Sequence, residues 1–222
     1  MPEIEVVEDI MSVNDRLAAQ MQSQMNAAGV LSLNIMASPG GGKTSITRRT
    51  IEALKDDLRI GYMDGDVVEI DAQHIAKLGV PTTLINTGGD CHLDANKVSL
   101  ALPRMDLSAL DLLVIENVGN LICPAAWKIG AHVNVVIASV PEGSDKPYKY
   151  PAMFRGAHVL ILNKIDLLPY IDFDLDYFRH GVEVLNPGVE FFPVSAKTGE
   201  GFDVWIDWLC AQVETKKAAV SS

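Results

Sequence analysis

Short apolar runs alternate with helical patterns along this 222-residue chain, and that alternation constrains the fold more than any other feature. Each run is short enough to be a buried strand, and a segment of helical periodicity separates it from the next. The predicted strands are Leu31–Ala37, Arg59–Met63, Thr82–Ile85, Leu110–Ile115, Val133–Val140, Val159–Leu162 and Glu190–Val194. Strands separated by helices form βαβ units. We therefore expect an α/β fold with a doubly wound, mostly parallel sheet that binds ligands beyond the carboxyl ends of its strands.

The N-terminal segment predicts one further helix outside this alternation. Apolar residues recur at helical spacing from Ser12 to Ala28, which indicates an amphipathic helix that ends near Gly29. A chain of this length can form one full α/β domain but not two. We therefore predict an N-terminal extension at residues 1–29, one domain at residues 30–215 and a flexible tail at residues 216–222.

Charge and cysteine count limit the partners and the compartment. The formal net charge of -11 disfavours binding to nucleic acid, which needs clustered Lys and Arg. No uninterrupted apolar stretch is long enough to span a membrane, and the acidic N-terminus lacks the basic and apolar regions of a secretory signal. We therefore expect a cytoplasmic protein without a membrane partner. Three cysteines in a reducing compartment indicate free thiols or metal ligands and not a disulfide framework.

The first predicted strand leads into a glycine-rich loop of the phosphate-binding type. Residues 37–44 read A-S-P-G-G-G-K-T, with Ala37 in place of the first glycine of the usual pattern, and a helical pattern follows. Successive glycines let backbone N–H groups surround phosphate oxygens, while Lys43 can reach the outer phosphates and the Thr44 hydroxyl can bind Mg²⁺. The predicted nucleotide-binding residues of this loop are Pro39, Gly40, Gly41, Gly42, Lys43, Thr44 and Ser45.

Two later strand ends have sequences that select guanine in GTPases. Asn163-Lys164-Ile165-Asp166 follows one strand, and Ser195-Ala196-Lys197 follows the last. A carboxylate at Asp166 would accept hydrogen bonds from guanine N1–H and N2–H, whereas adenine would leave that carboxylate unpaired. Each motif is weak alone, but their order behind a phosphate loop predicts GTP and GDP as ligands. The residues concerned are Asn163, Lys164, Asp166, Ser195, Ala196 and Lys197.

A further strand end predicts the element that senses the γ-phosphate. Glu116-Asn117-Val118-Gly119 is a Glu-containing variant of the Asp-x-x-Gly segment. Glu116 would hold Mg²⁺ through water or polarise the attacking water, and the Gly119 N–H would bond the γ-phosphate. With Lys43, these two residues are the predicted catalytic group. The alternative is that Glu116 is a solvated carboxylate at a strand end.

The first switch is expected at Asp64-Gly65-Asp66, between the first two helices of the domain. Asp66 is the preferred contact for Mg²⁺, together with Thr44 and Glu116. Asp64 and Asp71 remain open as competitors for that role, because spacing alone does not separate them.

Two short segments predict a second metal site. Cys91-His92 and Cys123 each follow a predicted strand end, so they could converge at the carboxyl edge of the sheet. A thiolate and an imidazole suit Zn²⁺ or Ni²⁺. The residues alone leave an alternative open, in which Cys123 is a small buried apolar residue and His92 is an ordinary loop histidine.

Longer segments resemble the HypB family of hydrogenase nickel-incorporation GTPases. They comprise Ser38–Thr44, Asn86-Thr87-Gly88 leading to Cys91-His92-Leu93-Asp94-Ala95, Glu116–Pro124, and Glu142–Pro147 with Tyr150-Pro151. The likeness extends over residues 12–214, and the segments around the two cysteines are much more specific than the GTPase motifs.

The resemblance implies a SIMIBI-type P-loop GTPase that delivers nickel during hydrogenase maturation. It implies that Cys91, His92 and Cys123 bind Zn²⁺ or Ni²⁺ at the interface of a GTP-linked homodimer. It also implies a nickel accessory protein and a hydrogenase large-subunit precursor as partners. Many members carry a Cys-rich or His-rich N-terminal sequence, but residues 1–30 here contain neither residue type. We therefore expect this chain to hand nickel on without storing it.

The spacing of two predicted site residues suggests how the sites communicate. Cys123 lies only seven positions after Glu116. We hypothesise that GTP and Mg²⁺ pull the turn at residues 116–119 inward, displace Cys123 relative to Cys91 and His92, and stabilise a dimer that shares the metal. Hydrolysis would reverse this and release nickel. No Gln or Arg near the turn is identifiable as a hydrolytic helper, so slow intrinsic turnover is expected, and Lys146 is a candidate phosphate contact.

Three other functions remain open at this point. An accessory GTPase for urease or for a cobalamin-dependent mutase shares the phosphate loop and the Glu-containing switch. A regulator could use GTP and structural zinc only to dimerise. An ATP-dependent kinase would need a phosphoacceptor site that the sequence does not reveal.

Overall fold

The computed structural model describes residues 6–220, and within that range the core is one seven-stranded parallel sheet. Its strands are β1 Leu31–Ala37, β2 Ile60–Asp66, β3 Thr82–Asn86, β4 Leu112–Glu116, β5 Val133–Ser139, β6 Val159–Asn163 and β7 Glu190–Pro193. They lie in the order β3-β2-β4-β1-β5-β6-β7, and every neighbouring pair is parallel. The predicted doubly wound α/β fold is confirmed.

Helices cover both faces of this sheet. They are α1 Val6–Ala27, α2 Lys43–Leu54, α3 Ile70–Ala76, α4 Ala95–Ala101, α5 Lys146–Lys149, α6 Pro151–Arg155, α7 Leu175–Leu185 and α8 Phe202–Ala218. Apolar side chains of α2, α3 and α8 form one buried cluster with the sheet. Those of α1 and α4 form a second cluster, and those of α6 and α7 a third. The five central strands are almost entirely buried on both faces, which explains why they appear in the sequence mainly as continuous apolar runs.

The N-terminal helix is longer than its pattern predicts and belongs to the domain core. It begins by Val6 instead of Ser12, and its buried stripe of Ala18, Met21 and Met25 packs in the same cluster as α4. At the other end, α8 continues to Ala218, so the first three residues of the predicted flexible tail are helical. Ser221 and Ser222 lie outside the described residues.

Strand β2 extends further than predicted, because it pairs with strands on both sides. Asp64, Gly65 and Asp66 align with Leu84, Ile85 and Asn86 of β3, and Asp64 aligns with Glu116 of β4. The predicted first switch therefore starts within a strand. Its acidic side chains lie at the carboxyl edge of the sheet beside β4.

No helix in residues 6–220 is long and apolar enough to cross a membrane.

Candidate functional site

The phosphate loop joins β1 to α2 at the carboxyl edge of the sheet. Gly40 and Gly42 have φ values of 74° and 100°, a left-handed conformation that glycine adopts without steric cost. No side chain caps α2 at Gly42, so the first N–H groups of the helix remain available to a ligand at its N-terminus. The loop thus has the backbone shape that a bound phosphate requires.

Asn163 connects the phosphate loop to both predicted guanine motifs. This buried side chain donates from Nδ2 to the Gly41 carbonyl at 3.1 Å. Its Oδ1 accepts from the Lys164 N–H at 2.8 Å and from the Ala196 N–H at 3.1 Å. One amide therefore sets the relative position of three loops that are distant in sequence.

A groove of about 460 Å³ lies between these loops. Its lining includes Gly42, Ser45, Asn163, Lys164, Asp166, Ala196 and Lys197. Asp166 Oδ1 accepts from Ser195 Oγ at 2.6 Å, and Lys164 Nζ donates to the Gly40 carbonyl at 2.7 Å. The structure therefore brings the predicted base-binding residues together next to the phosphate loop.

Acidic side chains surround Thr44 at the start of α2. Thr44 Oγ1 lies 2.8 Å from Glu116 Oε1 and 2.9 Å from Asp71 Oδ2. Tyr62 donates its hydroxyl to Glu116 Oε2 at 3.0 Å. Asp64 is buried nearby, and its Oδ2 finds no hydrogen-bond partner within residues 6–220.

The charges in this cluster perturb its titration. Burial, and to a smaller extent the charge of Glu116, raises the pKa of Asp64 to about 7. Burial also raises the pKa of Glu116, whereas the nearby Lys43 ammonium lowers it. The hydroxyl and carboxylate oxygens are the ligand types that Mg²⁺ prefers, and a buried carboxylate oxygen without a partner is available. The donor set fits Mg²⁺.

Asp66 is the magnesium contact that the sequence favoured, but within residues 6–220 it is not among the carboxylates that hydrogen-bond to the Thr44 hydroxyl. Its Oδ1 accepts from the Val67 N–H at 2.6 Å. Asp71 is instead the first-switch aspartate within hydrogen-bond distance of Thr44, because α3 begins at Ile70 and directs the side chain of the next residue towards α2. This geometry favours Asp71 over Asp66 among the three aspartates that the sequence left open.

The turn after β4 lies against the phosphate loop. A Cβ added to Gly119 would lie 3.3 Å from Lys43 Nζ and 3.5 Å from the Pro39 backbone. Glycine at this position therefore allows the turn to approach the lysine closely. The predicted catalytic group therefore lies close together beside the phosphate loop. It comprises Lys43, Glu116 and Gly119.

The three predicted thiolate-site ligands converge on one side of this turn. Cys91 Sγ lies 2.9 Å from Cys123 Sγ and 3.6 Å from His92 Nδ1, and the three ligand atoms lie within 4.8 Å of one another. The His92 ring stacks on Trp127, with 4.9 Å between centroids. Two sulfurs and one imidazole nitrogen suit Zn²⁺ or Ni²⁺ and leave a tetrahedral ion at least one further ligand position.

Two buried asparagines that the sequence reasoning overlooked connect the metal segments to the rest of the fold. Asn117 Oδ1 accepts from the Leu93 N–H at 2.9 Å. Asn14 of α1 accepts from the Ala95 N–H at 2.8 Å and donates to the Lys128 carbonyl at 2.9 Å. Asn14 could have been found from its spacing, because it shares the buried stripe of α1 with Ala18.

Lys146 and Glu142 form a second polar contact beside the phosphate loop. Lys146 Nζ lies 3.7 Å from Glu142 Oε1 and over the Tyr150 ring. Glu142 accepts from Ser139 Oγ at 2.7 Å and from Ser38 Oγ of the loop. The predicted phosphate role of Lys146 remains a prediction, and Glu142 is a neighbour of the loop that sequence reasoning missed.

Comparison with known proteins gives consistent results for sequence and structure. The family model described as CobW/HypB/UreG, nucleotide-binding domain, matches residues 31–193. Hydrogenase maturation factor HypB of Azotobacter vinelandii is 45% identical over 217 residues, which is 97% of this chain and 72% of that protein.

Two solved structures are also similar. HypB from Archaeoglobus fulgidus superposes with a TM-score of 0.85 at 37% identity, over 91% of this chain and 99% of that one. HypB from Helicobacter pylori, solved in complex with nickel, gives a TM-score of 0.86 at 34% identity, over 92% and 96% of the two chains.

Proposed function

Since this chain belongs to the HypB family of hydrogenase maturation factors, we propose that it is a GTP-hydrolysing metallochaperone that delivers nickel during nickel-iron hydrogenase maturation. Its nucleotide would control a homodimer that shares the metal. Nickel is the cargo of this protein, received from an accessory protein and passed to the hydrogenase large-subunit precursor.

One observation supports this proposal most directly. Residues 116–123 begin at Glu116, which contacts Thr44 of the phosphate loop, and end at Cys123, which contacts Cys91. The element that would sense the γ-phosphate is therefore continuous with a ligand of the thiolate site. A movement of the turn would therefore be transmitted to the metal site through only a few residues.

The nucleotide site binds GTP through groups with separate tasks. Backbone N–H groups of residues 40–44 surround the phosphates, and Lys43 neutralises the outer ones. Asp166 accepts from guanine N1–H and N2–H, which excludes adenine because an unpaired buried carboxylate is costly. The contact of Asp166 with Ser195 orients the carboxylate for that task.

Hydrolysis depends on the acidic cluster and on the turn. Thr44 and Glu116 would hold Mg²⁺, with Asp71 beside them; the ion, when bound, neutralises charge that develops on the phosphates. Glu116 polarises the attacking water, and the Gly119 N–H stabilises the γ-phosphate. The turn contains no Gln or Arg that could add to this, so intrinsic turnover is slow.

The thiolate site offers three ligands at an accessible position. Cys91 is exposed, so an ion bound there remains open to a ligand from a second copy of the chain or from the next carrier. GTP draws the turn inward and changes the position of Cys123 relative to Cys91 and His92, and hydrolysis reverses that change. Delivery follows because the affinity for nickel falls after hydrolysis.

Titration of nickel and of zinc tests this function. The purified chain is compared without nucleotide, with GDP and with a non-hydrolysable GTP analogue, and its mass in solution is measured in each state. The proposal expects nickel affinity and dimer formation to depend on nucleotide. Tight zinc binding that is independent of nucleotide, with no change in nickel affinity, would identify instead a zinc-dimerised regulator, which the same donor set also suits.

A further inference from the structure

We propose that Asn117 is a positioning residue that anchors the Cys91–His92 half of the thiolate site to the central sheet, so that movement of the neighbouring turn displaces Cys123 against a fixed reference. This inference rests on the proposed function, because it explains how nucleotide-dependent movement becomes a change in metal affinity. Within residues 6–220 the Asn117 side chain forms its hydrogen bonds with Leu93, Val118 and Asn34, and none of these residues is a predicted metal ligand.

The side chain of Asn117 holds the Cys91–His92 segment through a hydrogen bond to the residue that follows it. It is 1% exposed and follows directly after Glu116, the last residue of β4. Its Oδ1 accepts from the Leu93 N–H at 2.9 Å. Leu93 is the residue after His92 and is fully buried, packed so closely on Gly65 that a Cβ there would overlap it. The Cys91–His92 segment is therefore attached at its next residue to the end of β4.

A row of three side-chain amides supports this attachment. Asn117 Nδ2 donates to Asn34 Oδ1 at 3.1 Å, and Asn34 Nδ2 donates to Asn134 Oδ1 at 3.1 Å. These three residues lie on or next to β4, β1 and β5, which are adjacent in the sheet. Because the Asn117 NH₂ group is engaged by Asn34, its oxygen faces Leu93. Its backbone N–H also donates to the Ile35 carbonyl of β1 at 2.9 Å, which holds both backbone and side chain to the sheet.

The other half of the thiolate site follows the turn after Asn117. Asn117 Oδ1 also accepts from the Val118 N–H at 2.9 Å, which holds the first residue of the turn to the end of β4. Gly119 then lies against Lys43, and the chain continues to Cys123. Asn120 of the same turn donates from Nδ2 to the Cys91 carbonyl at 3.2 Å, so the turn pulls on both halves, and the bond from Leu93 to Asn117 opposes that pull on Cys91. Movement at Gly119 therefore displaces Cys123 more than Cys91, and the distance between the two sulfurs changes.

Removal of this anchor should abolish the dependence of metal affinity on nucleotide. Couplings between two sites commonly change affinity by about 5- to 150-fold, and we expect a wild-type ratio of nickel affinities, GTP analogue against GDP, in that range. In Asn117→Ala the ratio should fall below about 2-fold, because the Cys91–His92 segment then follows the metal instead of the sheet.

Thr50→Ala is the control variant. Thr50 is also buried, at 3% exposure, and its hydroxyl accepts from Trp205 Nε1 of α8 at 2.9 Å, so the variant loses a buried hydrogen bond outside the row of amides. This variant should lower the unfolding midpoint as Asn117→Ala does and yet keep the nucleotide dependence of nickel affinity. Should Asn117→Ala fail to fold, Asn117→Ser carries the same expectation, since its shorter side chain does not reach the Leu93 N–H.

Hydrogen exchange at the Leu93 amide provides a readout without any metal. The amide should be protected in wild type and in Thr50→Ala, and should exchange at least about tenfold faster in Asn117→Ala once its acceptor is lost.

The possible outcomes separate the anchor from the proposed function. If wild type shows the ratio and Asn117→Ala retains it, the anchor is wrong and the proposed function stands. Loss of the ratio in Thr50→Ala to the same extent would also overturn the anchor, because core disruption would then explain both variants. A wild-type chain with no nucleotide dependence would overturn the proposed function, and the anchor with it.

Discussion

Thr44 Oγ1 lies 2.8 Å from Glu116 Oε1, so the hydroxyl at the start of α2 meets the carboxylate at the end of β4 directly. Tyr62 holds the other oxygen of the same carboxylate. The group that would respond to the γ-phosphate is therefore already oriented towards the phosphate loop, and its removal affects hydrolysis more than folding.

Glu116→Gln should slow GTP hydrolysis by about 100-fold, because the amide cannot polarise the attacking water as a carboxylate does. Wild-type turnover should itself stay below about 10 per second, the median for enzymes at large. Phosphate release measures both rates. Tyr62→Phe is the control, since it removes one hydrogen bond to the carboxylate but keeps the charge, and it should cost less than about tenfold. A Glu116→Gln rate close to wild type would contradict the assigned role.

Asp166→Asn should weaken GTP binding by about 100-fold, because one charge-assisted hydrogen bond to guanine is lost and an amide NH₂ faces a donor. Competition among GTP, ATP and XTP measures the change, and XTP should gain relative to GTP because xanthine presents an acceptor there. Ser195→Ala removes only the 2.6 Å contact to the carboxylate and should have a smaller effect. Unchanged GTP selectivity in Asp166→Asn would show that the base binds elsewhere.

Cys123→Ala should weaken nickel binding in the presence of a GTP analogue by more than about 100-fold. Loss of a metal ligand lowers metal affinity more than loss of a residue that only hydrogen-bonds to a ligand. Equilibrium titration with a competing chelator measures the affinity. Cys210→Ala is the matched control, because Cys210 lies on α8 and packs beside the core instead of the thiolate site. If Cys123→Ala bound nickel as tightly as wild type with the analogue present, the proposed coupling would be wrong.

The contribution of Asp64 to the free energy of unfolding of the metal-free, nucleotide-free chain should fall as pH rises from about 4 to about 7. Burial and the charge of Glu116 raise the pKa of Asp64 to about 7 in the folded chain, whereas an unfolded Asp titrates near 3.9. At this carboxyl group the folded state binds more protons in that window, so its contribution to stability has a negative slope against pH there and is constant above it.

Asp64→Asn isolates this contribution from that of Glu116, whose pKa is also raised by burial. Urea unfolding of both proteins from pH 4 to pH 8 measures it. The variant should gain stability relative to wild type as pH rises, by an amount on the order of a few kcal/mol, since one pKa unit corresponds to about 1.4 kcal/mol. A difference between the two proteins that does not change with pH would refute the raised pKa.

Asn14→Ala should destabilise the chain by about 1 to 3 kcal/mol, because the buried Ala95 N–H loses its acceptor. The same variant should weaken metal binding in every nucleotide state, since Asn14 joins the segment after His92 to the segment after Cys123. Asp15→Ala is the neighbouring control. It removes the more exposed ion pair with Lys128 and should cost less than about 1 kcal/mol. Equal effects of the two variants would count against the bridging role of Asn14.

Sequence patterns predicted the fold class well but not all element ends. The bounds of β1 match the prediction, those of β3 to β7 differ from it by only one or two residues at an end, and β2 runs three residues further than predicted. Its last residues, Asp64 to Asp66, are polar and contain a glycine, so apolar runs could not reveal them. Their pairing with β3 and β4 holds them in the sheet. The same extension explains why the choice among three aspartates could not be made from spacing.

The local sequence determined the order of strands and helices, the phosphate loop and the family. Each of these depends on residue types at short spacings, which fix backbone conformation and the buried face of each element locally. Only the tertiary structure decided which distant groups meet. Cys91 and Cys123 are 32 positions apart, and Asn14 and Lys128 are 114 apart. Their contacts depend on strand order and on how deeply each loop packs, and so do the raised pKa of Asp64 and the buried bond from Leu93 to Asn117. Burial and low dielectric act on neighbours in space, which a linear pattern does not specify.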